Sequence, residues 1–217
     1  MKFDKGFWYQ VDQRVGAETT MYPERLRMLL KIIKTCIDRY DTESMAEPRR
    51  PFVIAIDGPA ASGKSTMAEQ LSGLLDAAVI HMDDFFLPSE LRTEERLAEP
   101  GGNVHYERFC EEVLPYLKTP AAFSYRIFDC SRMDYNGEST VGNAQIRIVE
   151  GAYSYHPKFG KYADLFVFSD VDTEEQLRRI KLRNGEEKAQ VFSEKWIPME
   201  ERYFATFGIK THADAIV

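Results

Sequence analysis

Cysteine, positive charge and long apolar runs are all scarce in this chain, and each scarcity removes a class of function. The three cysteines among 217 residues, Cys36, Cys110 and Cys130, are odd in number and far apart. Such spacing fits reduced thiols in the cytoplasm better than a disulfide framework, and offers no metal-ligand pattern. A net charge of −7 argues against general nucleic-acid or membrane-surface binding, because a phosphate backbone needs a basic face. No run approaches the ~18 apolar residues of a membrane span, and the opening MKFDKGFWYQ lacks the apolar centre of a signal peptide. The expectation is a cytoplasmic protein whose partner is a small molecule, with no nucleic acid and no membrane. Internal repeats and low-complexity stretches are also missing.

A chain of this length can bury one sizeable core. Residues Asp41 to Arg50 (DTESMAEPRR) are polar and hold Pro48, which divides a helical extension and linker over residues 1–50 from a main domain over residues 51–217. In the extension, Leu26, Leu29, Leu30, Ile33 and Ile37 recur at the spacing of an amphipathic helix over Pro23 to Tyr40, with Pro23 suited to its first turn. The apolar stripe needs cover, either from the main domain or across the seam of a homodimer.

The most informative stretch that is present is a phosphate cradle. Residues Gly58 to Thr66 read GPAASGKST and follow the apolar run Pro51 to Ile56, so a G-x-x-x-x-G-K-[ST] loop, the Walker A pattern, stands where a buried strand ends. Gly58 and Gly63 let the chain turn tightly, which brings the backbone N–H groups around Ala60, Ala61, Ser62, Gly63 and Thr66 onto phosphate oxygens. Lys64 supplies a point charge for the β and γ phosphates, and Ser65 a hydroxyl for magnesium. Met67 to Leu75 are good helix formers, so the positive end of a helix dipole opens on the same anion.

Beyond the loop, short apolar strands alternate with helices. Phe52 to Ile56, Ala78 to His81, Ala122 to Phe128, Ile146 to Val149, Leu165 to Phe168 and Ala215 to Val217 read as strands; Lys64 to Leu75, Tyr106 to Leu117, Thr173 to Asn184 and Phe192 to Phe207 read as helices. This order predicts an α/β fold of the P-loop NTPase type: a mostly parallel sheet with helices on both faces, plus the N-terminal amphipathic helix. The last strand is expected at a sheet edge. Ligands of such sheets lie outside the carboxyl ends of the strands.

Two strand ends carry carboxylates. Ala78 to His81 runs into Met82-Asp83-Asp84-Phe85-Phe86, and Ile146 to Val149 into Glu150-Gly151. Phosphoryl transfer needs one carboxylate near the acceptor hydroxyl and another to place the metal through water, jobs that suit Asp83 and Glu150. Asp84 is the rival of Asp83, since adjacent residues point in different directions. Asp170 could serve a metal, but the following Val-Asp-Thr-Glu-Glu favours a helix-capping role for it. Arg178, Arg179 and Arg183 cluster on the helix from Thr173, with Arg179 and Arg183 on one face. They fit either a lid over the γ phosphate or a solvated face paired with Glu174 and Glu175.

In order, GPAASGKST, HMDDFF, Asn103 to Phe109, SYRIFDCSR (Ser124 to Arg132), IVEGAY (Ile148 to Tyr153) and LRRIKLR (Leu177 to Arg183) resemble the uridine kinase group of P-loop kinases. That group includes phosphoribulokinase, bacterial pantothenate kinase and nicotinamide riboside kinase. The resemblance spans Pro51 to Val217 and leaves out the extension. It implies an ATP- and Mg2+-dependent kinase with Asp83 as base and magnesium partner, Glu150 as a second metal-side carboxylate, the arginine cluster as lid, and Tyr125 helping to hold the acceptor. The acceptor pocket departs from the pattern. His105 stands where uridine kinases carry a ribose-gripping aspartate, Cys130 where a histidine reads the pyrimidine, Ile127 where an aromatic ring stacks, and Arg126 where an acidic residue is usual. Losing the groups that hydrogen-bond one substrate argues against uridine itself. Arg126 would suit an anionic acceptor if it faces the pocket; otherwise it is a solvated edge-strand residue. His105 reads equally as a residue at a helix start.

ATP is the default donor, because no stretch specifies a purine edge. A GTPase switch would want an Asn-Lys-x-Asp motif, which is missing. A hydrolase would want a water-orienting residue, and none stands out. The expected function is therefore γ-phosphoryl transfer to a small-molecule hydroxyl, with a nucleoside kinase proper, a nucleotide-binding regulator and an NTP hydrolase as the alternatives.

Overall fold

A computed structural model of the protein describes residues 3–18, 23–43 and 50–217. Two helices, α1 (Lys5–Glu18) and α2 (Pro23–Glu43), precede β1 (Phe52–Asp57), α3 (Lys64–Leu75) and β2 (Ala78–His81). Three short helices follow, α4 (Glu94–Ala98), α5 (Tyr106–Glu112) and α6 (Leu114–Leu117), then the strands β3 (Phe123–Asp129), β4 (Asp134–Val141), β5 (Ile146–Glu150) and β6 (Leu165–Phe168). The chain closes with α7 (Thr173–Asn184), α8 (Glu186–Val191), α9 (Ile197–Phe207) and β7 (Ala215–Ile216).

Five strands form one sheet in the order β2-β5-β1-β6-β7, with every neighbouring pair parallel. The central strands β1, β5 and β6 are buried at every position, as a sheet covered on both faces requires. One face packs on α1, α2 and α3: Trp8, Val11, Leu26, Leu29, Ile33 and Ile37 join Ile54, Leu71 and Ile148 in one cluster. The α2 stripe therefore finds its cover inside its own chain. Helix α1 went unread in the sequence, although Trp8, Val11 and Val15 carry a helical spacing. Most of the expected linker, residues 44–49, lies outside the described residues.

Three elements differ from expectation. The strand at β3 is not in the parallel sheet but pairs antiparallel with β4 as a two-stranded hairpin, with a bulge between Arg126 and Phe128. Strand β4 is mostly exposed, so its sequence DYNGESTV gives no apolar alternation. The helix expected over Tyr106 to Leu117 breaks at Val113, where φ is −120° and ψ −55°; Pro115 fits the first turn of a new helix and would clash inside a continuous one. The helix expected over Phe192 to Phe207 opens with a π turn, Phe192–Trp196, before α9. Pro198 follows directly and has no N–H to give to the preceding turn.

A buried arginine ties the hairpin to the sheet. Arg147 of β5 is fully buried, and its guanidinium donates to the carbonyls of Tyr116 (2.8 Å), Leu117 (3.0 Å), Ala121 (2.9 Å) and Gly142 (3.1 Å). Those four oxygens belong to the end of α6 and the two roots of the hairpin. A planar, always-charged fork is the side chain that can satisfy several carbonyls at once.

Candidate functional site

The loop Gly58–Thr66 is set by the strand before it. Asp57, the last residue of β1, is fully buried and accepts from Gly58 N (2.7 Å), Tyr153 N (3.2 Å), Tyr155 N (3.0 Å) and the Tyr203 hydroxyl (2.8 Å). Burial raises its pKa, and those hydrogen bonds and Lys64 act against the rise. In the sequence Asp57 carries no signal of its own, standing between the apolar run that ends at Ile56 and the loop that begins at Gly58. Gly58 has φ +144°, and a Cβ there would lie 2.2 Å from the Ser169 carbonyl oxygen; only glycine fits that approach.

Lys64 is buried, and its ammonium donates to the Gly58 and Pro59 carbonyls at 2.8 Å each. Ser65 Oγ donates to Glu150 Oε2 at 3.1 Å, and His81 Nδ1 lies 2.6 Å from Glu150 Oε1. Parallel register places His81 opposite Glu150 at the two strand ends. His81 was also unread; its hydrogen bond to Glu150 is the main cause of its raised pKa.

Around the loop lies a cleft of about 530 Å³, lined by Ala60, Ala61, Gly63, Lys64, Ser65 and Thr66, by Asp83 and Glu150, and by Arg179 and Arg183 of α7. Ser62 is buried beneath it, with its carbonyl taken by the Ser169 hydroxyl at 3.1 Å. Phe86, Gly151, Ala152, Leu182, Phe192 and Glu200 complete the wall; the last three carried no site signal in the sequence. Arg179 donates to Glu175 (2.7 Å) and to the Ala61 carbonyl (3.2 Å). Arg178 bonds Glu175 at 2.5 Å, half-exposed and outside the lining. These two arginines, Arg178 first, hold the Glu175 carboxyl down to about 2.

Asp83 and Asp84 part company in a short 3-10 turn, Met82–Phe85. Asp83 opens into the cleft, where the surrounding walls displace water and raise its pKa; the Glu150 charge adds to the rise and Lys64 opposes it. Asp84 accepts from the buried Tyr125 hydroxyl at 3.0 Å. Next to the cleft is a second cavity of about 370 Å³, lined by Asp83, Asp84, Phe86, Ile127, Asp129, Cys130 and their neighbours.

Three other residues singled out in the sequence have different partners. His105 caps α5, its Nδ1 facing Arg108 N at 3.4 Å and Glu107 at 3.2 Å, and lines neither cavity. Arg126 lies half-exposed against Glu112, at 2.8 Å from Nε and 2.5 Å from Nη2, outside both cavities. Glu112 thus takes the charge that an anionic acceptor would have used. Asp170 does not cap α7: Asp172 does, accepting from Glu175 N at 2.9 Å, while Asp170 accepts from Lys210 at 2.6 Å.

No group of three or more His, Cys, Asp or Glu side chains is placed to hold a metal among the described residues, and no described helix is long and apolar enough to cross a membrane. A hydroxyl with two nearby carboxylates still fits magnesium, which keeps most of its waters and takes one or two protein oxygens beside substrate phosphates.

No protein-family profile and no curated protein matches the chain. Solved structures do. A possible uridine kinase from Bacillus stearothermophilus is 21% identical, with 85% of this chain and 98% of that one covered and a TM-score of 0.59. A protein described as a fructose transport system kinase from Silicibacter is 22% identical over 84% and 97%, with a TM-score of 0.63. A D-glycerate 3-kinase from Cryptococcus neoformans is 17% identical over 82% and 87%, with a TM-score of 0.60. The chain has the P-loop α/β fold that these uridine kinase-like, fructose-system and glycerate kinases share.

Proposed function

We propose that the chain is an ATP-dependent kinase that transfers the γ-phosphoryl group to a hydroxyl of a small molecule. The observation that carries this reading is the place of Asp83, whose side chain lines both the loop cleft and the second cavity. A proton acceptor at the junction of a phosphate cradle and an adjoining cavity suits transfer between two bound substrates. The solved structures of like fold carry kinase descriptions and support the same class.

In the proposed reaction the acceptor hydroxyl gives its proton to an Asp83 carboxylate oxygen as its own oxygen bonds the γ phosphorus. The bond from that phosphorus to the bridging oxygen breaks, and the electron pair leaves on ADP. Loop amides and Lys64 hold the phosphates, while Arg179 and Arg183 meet the charge that spreads over the transferring group. Ser65, and Glu150 through water, would hold Mg2+, which would neutralise part of the phosphate charge. His81 orients Glu150. Asp84, held by Tyr125, faces the acceptor. The raised pKa of Asp83 brings its basicity nearer to that of an effective proton acceptor at neutral pH.

The test is nucleotide consumption with ATP and magnesium against a panel of nucleosides, sugars, vitamins and hydroxy acids. One acceptor should raise ADP release well above the rate in its absence and appear as its phosphate ester. An acceptor-independent rate as high as any stimulated one would make the protein a hydrolase, and tight binding without turnover would make it a nucleotide-responsive regulator.

A further inference from the structure

One buried carboxylate in the cleft has no part in the scheme above. Glu200 of α9 is 7% exposed, and its Oε2 accepts the Ala60 N–H at 2.8 Å. From the other side Gln176 of α7, 4% exposed, donates its Nε2 to the Ala60 carbonyl at 3.1 Å. Both backbone groups of one loop residue, Ala60, are thus held by two buried side chains. They come from the two helices that bracket the segment of α8 and the π turn, and α7 also carries Arg179 and Arg183 into the cleft.

A neutral side chain could accept one amide. A carboxylate in that role is costly, because it is desolvated where a triphosphate must enter and like charges repel strongly in a partly dry cleft. The charged and titratable groups that face Glu200 are Lys64 at the start of α3, Asp57 of β1, Asp83 after β2 and Tyr153 after β5; Glu150, Arg179 and Arg183 line the same cleft, and Asp170, Glu201 and Lys210 line a further cavity that Glu200 also borders. Lys64 is the cation nearest in effect, and nucleotide phosphates would compete for it.

We propose that Glu200 and Gln176 are positioning residues that jointly set the backbone on either side of the Ala60 Cα, and that the Glu200 charge opposes nucleotide so that the loop accepts phosphate best when that carboxyl is protonated. This rests on reading the loop as a nucleotide phosphate site. Desolvation, with Asp57 and Asp83 adding to it, pushes the Glu200 pKa up to about 7. Its charge therefore changes across neutral pH, where the surface carboxylates are already ionised.

The experiment is calorimetric titration with MgATP between pH 6 and pH 8 on the full chain and on Glu200→Gln and Gln176→Ala. Glu200→Gln keeps an acceptor for the Ala60 amide and removes only the charge. It should bind nucleotide roughly tenfold more tightly than the parent at pH 8 and equally at pH 6, with a melting temperature at pH 8 no lower than the parent's. Gln176→Ala should weaken binding roughly fivefold at every pH, the loss of one buried hydrogen bond. Identical pH dependence in parent and Glu200→Gln would overturn the proposal with the kinase reading intact. Absence of nucleotide binding in all three would overturn both.

Discussion

The two halves of the candidate site are built by different means. The loop cleft rests on three strands buried at every position and uses backbone amides, one lysine and one hydroxyl. The second cavity rests on the turn after β2 and on an exposed two-stranded hairpin, and is walled by side chains from Asp83 to Asn136. A phosphate group is the same in every nucleotide, so a fixed backbone cradle suffices. An acceptor differs from one kinase to the next, so its pocket must be written in side chains on a part of the fold that tolerates change.

Asp83 touches both halves, and its variant is the sharpest test of their separation. Asp83→Asn should lower kcat roughly 1,000-fold and leave nucleotide affinity within a few-fold; near-parental turnover would remove the base from the scheme.

The packing beneath the loop is sensitive to acid. His156 is buried between Tyr106 and Tyr203, with ring centroids 5.1 Å and 5.8 Å away, and Tyr203 in turn bonds Asp57 beneath the loop. Burial pushes the His156 pKa down to about 4. The fold keeps the neutral ring, so this contribution is complete above the unfolded value near 6.5 and is lost as pH falls from there towards 4. The loss is on the order of 3 kcal/mol. Urea unfolding across that window should show a smaller acid loss for His156→Asn than for the parent; parallel curves would discount the histidine.

Smaller effects are expected on one half at a time. Ser65→Ala should raise the magnesium concentration needed for half-maximal rate and cost roughly 100-fold in turnover, with acceptor KM little changed. Tyr125→Phe removes the hydrogen bond that holds Asp84 and should raise acceptor KM roughly tenfold while nucleotide KM stays put. A Tyr125→Phe effect on nucleotide KM of equal size would mean that the two cavities do not act separately.

The same division governs what the sequence revealed. Lys64–Leu75, Ala78–His81, Leu165–Phe168 and Thr173–Asn184 coincide with the expected elements to the residue; burial on both faces writes a central strand such as Leu165–Phe168 as an unbroken apolar run. The loop and the two strand-end carboxylates were legible for the same reason. Strand β4 was not, since a hairpin open to water needs no apolar alternation. Neither was Glu200, which reaches Ala60 from 140 positions away and belongs to no local pattern. His105 and Arg126 were singled out by alignment to a pattern of residue types. Their actual partners, Arg108 N in the same first turn and Glu112 at the end of α5, are contacts that such an alignment does not weigh.

Arg147 carries a consequence for redesign. Its four carbonyl bonds fasten both roots of the β3–β4 hairpin and the end of α6 to the strand whose far end bears Glu150. The hairpin is in effect an interchangeable cassette on a fixed mount. Exposed residues between Ser124 and Thr140 are therefore expected to tolerate exchange without disturbing the loop cleft, provided that Tyr125 keeps its bond to Asp84 and Ala121, Gly142 and Arg147 keep their geometry.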